Sequence, residues 1–410
     1  MHINKPKLRW PINVNTHLID GQHVIVLSCP IGVCSQPLAL NAAIGPILAK
    51  FEGKETVEEI ANLYSQQGAT PELVLELAKL LDQNLFLESP SFYAAEKSVI
   101  NNFKVSSVRE SALAGLTYPA NPEILTKEID SFLKHGSILK FRDDLKLACL
   151  VAPHIDYKRG GSAYGKAYSA IKNLSHDLYI LIGTSHKYSK LTFHLTKKDF
   201  NSPLGTLKCD KHFITSIAEK HGIERSFENE FLHKNEHSLE LQLPFLKRQI
   251  TTPKIAPILV GSFYKFLQSK VNPQDDEEYE SFINALCESV ENKRAEGNSL
   301  CFIAGVDMAH IGQEFGDSKR LSPEFLVEVK HQDQIYLDTI LSQDKQSLFE
   351  HIKHDNDARR ICGFPTMYTI LDIMDRLNIK CESQVFDYNQ AVNYERDCAV
   401  SFASIGMYER

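Results

Sequence analysis

Four short apolar runs constrain this chain more than any other feature. LKLACLVAP (145–153), DLYILIG (177–183), KIAPILVG (254–261) and SLCFIAGV (299–306) are continuous, not alternating. A strand that is apolar on both sides needs cover on both faces. The segments between them, among them GSAYGKAYSAIKNL and DEEYESFINALCESVENKRA, carry helical spacing and supply that cover. The expected fold class is therefore α/β, a mixed or parallel central sheet flanked by helices. Pro244 and Pro257 are expected near the ends of elements, where proline is tolerated.

A different texture precedes these runs. LRWPINVNTHLID and HVIVLSC are β-rich and join through Asp20-Gly21, a hairpin signal. LNAAIGPILAKFEG, VEEIANLYSQQG and PELVLELAKLLDQN then read as three short helices, the last two opened by Thr56 and Thr70. This predicts a small α+β domain over residues 1–90, a polar linker over 91–107 and the large domain over 108–410. A chain of 410 residues is long enough for two or three cores.

Composition excludes several classes. No apolar run reaches the roughly 20 residues of a membrane helix, and MHINKPKLRWPINVN lacks the core of a secretory signal. Net charge is −7 with no dense Lys/Arg block, which speaks against nucleic acid as a partner. The nine cysteines include no CxxC and read as mostly structural, reduced thiols of a cytoplasmic protein.

Chemistry gathers after the strands. The first run leads into His154, Asp156 and Arg159-Gly160-Gly161-Ser162, the second into His186, and the fourth into Asp307 and His310. Ligands of open α/β sheets bind beyond the carboxyl ends of the strands, so these side chains are expected to share one crevice. Glu236 and His237 open a probable helix, where the dipole would lower the pKa of His237. His237 then suits a general base or a metal ligand. The Arg159–Ser162 segment is either a plain helix start or an anion cradle. His23, His212, His221, His351 and His354 carry no such pattern and are expected at the surface. Imidazoles with a carboxylate suit Fe(II), and three nitrogen or oxygen ligands suit zinc equally well.

Eight segments then resemble the MEMO family, whose prokaryotic members are called AmmeMemoRadiSam system protein B. They are VRESALAGLTYPANPEIL, VAPHIDYKRGGSAYGKAYSAI, ILIGTSHKY, NEHSLELQLPFL, IAPILVGSF, GVDMAHIGQEFG, ICGFPTMYTIL and FDYNQ…DCAVSFASIGMY, in order over about residues 108–410. The resemblance implies a fold similar to class III, LigB-type extradiol dioxygenases, in which two histidines and a carboxylate hold Fe(II). It assigns His154 and His186 as metal histidines and His237 as the further pocket histidine. It also implies a third ligand, a cysteine directly before a histidine, and that position here is Ala309. Asp307, His310 or His237 would then complete the set, or the pocket would be metal-free. The N-terminal order resembles PqqD-like domains, which bind a leader peptide beside a hairpin, with a generic winged helix as the alternative.

The leading expectation is a non-haem iron oxidoreductase or oxygenase acting on a peptide. His154, His186 and His310 hold the metal, and His237, Asp307 and Glu236 do the acid–base work. Fe(II) is the expected ion, with zinc or copper as alternatives. A non-catalytic peptide-binding adaptor with a degenerate dioxygenase-like pocket is the second reading, and a zinc hydrolase the third. The expected partners are a leader or precursor peptide, from the N-terminal resemblance, and AMMECR1-like and radical-SAM proteins by family association, with no nucleic acid and no membrane.

Overall fold

The computed structural model of the chain describes every residue except 1, 2, 20, 35, 143, 173 and 270. It divides into two compact units, residues 1–106 and 107–410. Among the described residues no helix is long and apolar enough to cross a membrane.

In the first unit, Asn13–Ile19 and Gln22–Ser28 pair antiparallel, with Leu38–Asn41 on the other side of Gln22–Ser28. The hairpin turn predicted at Asp20-Gly21 lies partly outside the described residues; Gly21 has φ 76°. Helix Val57–Leu63 starts at a capping box, with Thr56 Oγ1 accepting from Glu59 N and Glu59 Oε2 from Thr56 N. Helix Pro71–Gln83 is capped by Thr70. Two expectations need correction. LNAAIGPILAKFEG is not one helix: Leu38–Asn41 is a strand, and only short helical turns follow at Ala42–Leu48. The stretch 91–107 is not a linker, because Pro90–Val105 is a 16-residue helix capped by Ser89. Its polar composition misleads because only a narrow stripe, including Phe92 and Phe103, is buried.

In the second unit the sheet runs in the order His310–Ile311, Cys398–Glu409, Lys146–Ala152, Leu300–Gly305, Leu178–Thr184, Lys254–Val260, Phe193–Leu195. The four central strands are mutually parallel, and Cys398–Glu409 and Phe193–Leu195 run antiparallel to their neighbours. The sheet is therefore mixed, with both faces covered. One core holds Ile180, Ile182, Ile258 and Phe302; the other holds Tyr179, Leu181, Leu259 and Ile303. Alternate residues of one strand serve opposite cores, which is why these runs are continuously apolar.

Pro257 corrects another expectation, since it lies inside Lys254–Val260. On the outer side, Ile255 pairs with Cys209 and Ile258 with Leu195, so the proline falls in the gap between two short partners. A missing N–H costs least there. His221 is also not a surface residue but is buried, 1% exposed.

Candidate metal centre

The carboxyl ends of three adjacent strands build the site. Lys146–Ala152 delivers His154, Leu178–Thr184 delivers His186, and Leu300–Gly305 delivers Asp307. Asp307 Oδ1 accepts the backbone N–H of His154 at 2.8 Å, tying two strand ends together. The short helix His237–Glu240 lies across them. Ser238 Oγ donates to Thr184 O (2.8 Å), and Gln242 Nε2 to Pro153 O (2.9 Å). Gly183 and Gly305 allow this close seat: a Cβ would meet Ser238 Oγ at 2.6 Å from Gly183 and Ser238 O at 2.2 Å from Gly305.

The rings of His154, His186 and His237 converge. Their centroids are 4.9 Å (154–186), 5.0 Å (154–237) and 4.4 Å (186–237) apart, and one ligand atom from each lies within 4.8 Å of the others. Each ring is oriented from behind. His154 Nδ1 bonds Gly305 O at 2.9 Å, and His186 Nδ1 bonds Glu236 Oε1 at 2.9 Å. His237 Nδ1 stands 3.1 Å from Glu236 Oε1. A carbonyl and an ionised carboxylate only accept, so each Nδ1 carries a hydrogen, and in the neutral form of each ring the lone pair is on Nε2. Glu236 also accepts from the backbone N–H groups of His186, His237 and Ser238.

Burial would push the Glu236 carboxyl up, but the hydrogen bonds from His186 and His237 hold it well below its usual range. His237 differs from expectation. Burial opposes its charge, yet Glu236 outweighs burial and raises its pKa, overriding any helix-dipole effect. His154 is driven well below its ordinary value by burial and by the two neighbouring histidines. Burial pushes Asp307 up to about 6 against the bonds from His154 and Ile155.

The expected third ligand changes. His310 lies outside the three-histidine group: its Nδ1 faces Met308 O (3.1 Å) and Arg360 O (3.2 Å), and burial takes it down to about 4. His237 takes that place. Ala309 is buried in an apolar cluster with Ile311, Leu321, Val329 and Ala399, so the position expected to hold a cysteine faces a small core. The thiol beside the histidines is Cys362, whose Sγ lies 3.2 Å from His154 Nε2. Burial and Asp307 push that thiol well above its ordinary value. Sequence reasoning gave Cys362 no role, although it stands in the family-like segment ICGFPTMYTIL beside Gly363, where a Cβ would meet Asp307 O at 2.5 Å. It also passed over Glu240, which binds Arg109, the amides of Ala112 and Leu113, and Tyr118 Oη.

A cavity of about 550 Å³ opens on His154, His186, His237 and Asp307, with Arg159 and His310 on its wall. A second, of about 420 Å³, meets the site at His186 and Cys362 and is walled by Phe263 and Phe364. The Arg159–Ser162 segment is a helix start capped by Asp156. Its glycines serve packing, because a Cβ on Gly161 would meet Phe132 at 2.3 Å.

Comparison with known proteins bears on the same region. Residues 109–406 match the Memo-like protein family. A MEMO1 family protein of Aquifex aeolicus is 26% identical over 386 residues, covering 93% of this chain and 96% of the relative. MEMO1 family proteins of Archaeoglobus fulgidus (27% over 257 residues; 63% of this chain, 83% of the relative) and Thermococcus kodakarensis (27% over 309 residues; 73% and 98%) are similar as well.

Proposed function

The chain belongs to the Memo-like protein family, and on that premise we propose that it is a metal-dependent oxidoreductase of the non-haem iron type, acting on a peptide. The observation that carries this reading is the orientation of the three imidazoles. Their Nδ1 atoms are turned to Gly305 and Glu236, which makes Nε2 the donor atom of each neutral ring, and all three rings line one cavity. Carboxylate or carbonyl acceptors behind ligating histidines are the usual support of a protein metal site.

The donor set fits a transition metal. His154, His186 and His237 would hold it, and Cys362 is the neighbouring fourth donor. The 3.2 Å from Cys362 Sγ to His154 Nε2 suits two ligands of one ion as well as it suits a thiol–imidazole hydrogen bond. When bound, Fe(II) would supply a redox-active centre with positions left for oxygen and substrate. The protein's own groups do the rest. Glu236 keeps His186 and His237 in one tautomer. Asp307 Oδ2, 3.7 Å from His154 Nε2, holds or releases a proton near neutral pH. The peptide part of the reading rests on the first unit. There Asn13–Ile19 is an edge strand with Val14 and Leu18 exposed, the form of surface to which an extended peptide adds.

The test is metal content of protein purified without oxygen, beside the His154→Ala/His186→Ala variant. Near-stoichiometric iron, lost in the variant, with a high-spin signal when nitric oxide is added to the Fe(II) form, is the expected result. Protein that takes up no iron even on anaerobic loading would overturn the reading.

A further inference from the structure

Away from the histidines, the unit of residues 1–106 carries a second pair of reactive groups. Cys29 directly follows strand Gln22–Ser28. The chain then turns through Gly32, φ 72°, whose N–H reaches Cys29 O at 3.2 Å. The same turn brings the Val33 amide to 3.2 Å from the Cys29 sulfur, and the amides of Ile31 and Cys34 point to that sulfur too. Successive N–H groups gathered around one atom form a nest that favours an anion.

Arg9 adds a positive charge. Its guanidinium is buried and held by Leu85 O at 2.7 Å, and its Nη2 stands 3.3 Å from Cys34 Sγ. Cys34 in turn has Asn84 O at 3.2 Å as an acceptor for its own hydrogen, and it is hydrogen-bonded to Cys29. Both sulfurs belong to half-buried residues, whereas Cys149, Cys209, Cys287, Cys301, Cys381 and Cys398 are buried. The two thiols are also unequal. Burial opposes ionisation of Cys29, yet the amides and Arg9 outweigh it and lower its pKa, while burial raises that of Cys34. Thiol–disulfide exchange uses this arrangement, a ready thiolate beside a thiol that still holds its proton.

We infer that Cys29 and Cys34 form a redox-active dithiol, which a small disulfide oxidises to an intramolecular disulfide. Cys29 thiolate attacks one sulfur of the small disulfide; that S–S bond breaks and one small thiolate leaves. Cys34 then gives up its proton and attacks the Cys29 sulfur, expelling the second small thiolate. Two protein thiols and one small disulfide become one protein disulfide and two small thiols. The protein loses two electrons and two protons, and the small disulfide gains them.

The test uses the full chain with oxidised glutathione, followed by alkylation and tryptic digestion. The segment Trp10–Lys50 contains Cys29 and Cys34 and no other cysteine. It is expected lighter by two hydrogen atoms and unalkylated, and reverts with dithiothreitol. In Cys34→Ser the reaction stops with glutathione on Cys29. In Cys29→Ser, glutathione uptake by Cys34 at neutral pH is slower by on the order of tenfold. A segment alkylated at both positions despite excess oxidised glutathione overturns the inference. So do equal uptake rates in the two variants.

Discussion

A single carboxylate organises much of this site. Glu236 caps a helix, binds the backbone of His186 and stands behind two of the three imidazoles. Glu236→Gln keeps the size but loses the charge and one acceptor. Metal affinity is then expected to fall 10- to 100-fold, of the order seen for lost outer-shell partners, in a competition titration against a chromophoric chelator. Cys362 makes a separable prediction. Protein loaded with Co(II) should show a thiolate charge-transfer band in the near ultraviolet, and Cys362→Ser should lose it while still binding the ion through its histidines. The strand-end histidines could be read from the sequence because their placement is local: an apolar run ends and the next residues face the crevice. Glu236 as a brace and Cys362 as a neighbour could not be read, because each depends on distant segments meeting. Cys362 lies 208 residues from His154.

At the scale of elements, the site exists because the short helix His237–Glu240 fits against glycines at two strand ends. Gly305→Ala would put a methyl into Ser238 O, 2.2 Å from the ideal Cβ position, and backbone cannot yield as a side-chain tip can. Overpacking of this kind costs about 1–3 kcal/mol or more. Urea unfolding should show that loss together with weaker metal binding. At one edge of the sheet, strand Phe193–Leu195 rests on residues 230–234, where His233 Nε2 donates to His194 O at 2.9 Å. Burial holds His233 down to about 3. Its folded pKa lies below its unfolded value, so the unfolded chain binds more protons between the two, and stability is lost as pH falls below about 6.5. His233→Gln keeps a donor for His194 O and removes the titration. Its unfolding free energy should therefore fall less than the parent's between pH 6.5 and 4, by up to about 3 kcal/mol. Periodicity marked the central strands correctly because both faces are buried. It failed for Pro90–Val105 and for Leu38–Asn41, where a narrow buried stripe and a pairing partner decide what local composition does not.

At the scale of the whole molecule, the change of texture near residue 108 marks a real division. The buried cluster of the first unit runs from Ile25 to Leu87, and the two large clusters of the second hold only residues after 117. Each unit therefore has its own core, which is what independent folding requires. The histidines, Glu236, Asp307 and Cys362 all belong to residues 107–410. The Aquifex aeolicus relative nevertheless aligns over 386 residues, more than that unit contains, so the pairing of the two units is not peculiar to this chain. If the first unit serves to present a peptide, it should be dispensable for the metal centre and not for the substrate. Residues 107–410 expressed alone should melt in one cooperative transition and bind metal within about threefold of the full chain, a difference under 1 kcal/mol. A fragment that is molten, or that binds metal tenfold more weakly, would mean that the first unit helps build the centre. Its role would then have to be sought in the fold of the site, not in delivery of a substrate.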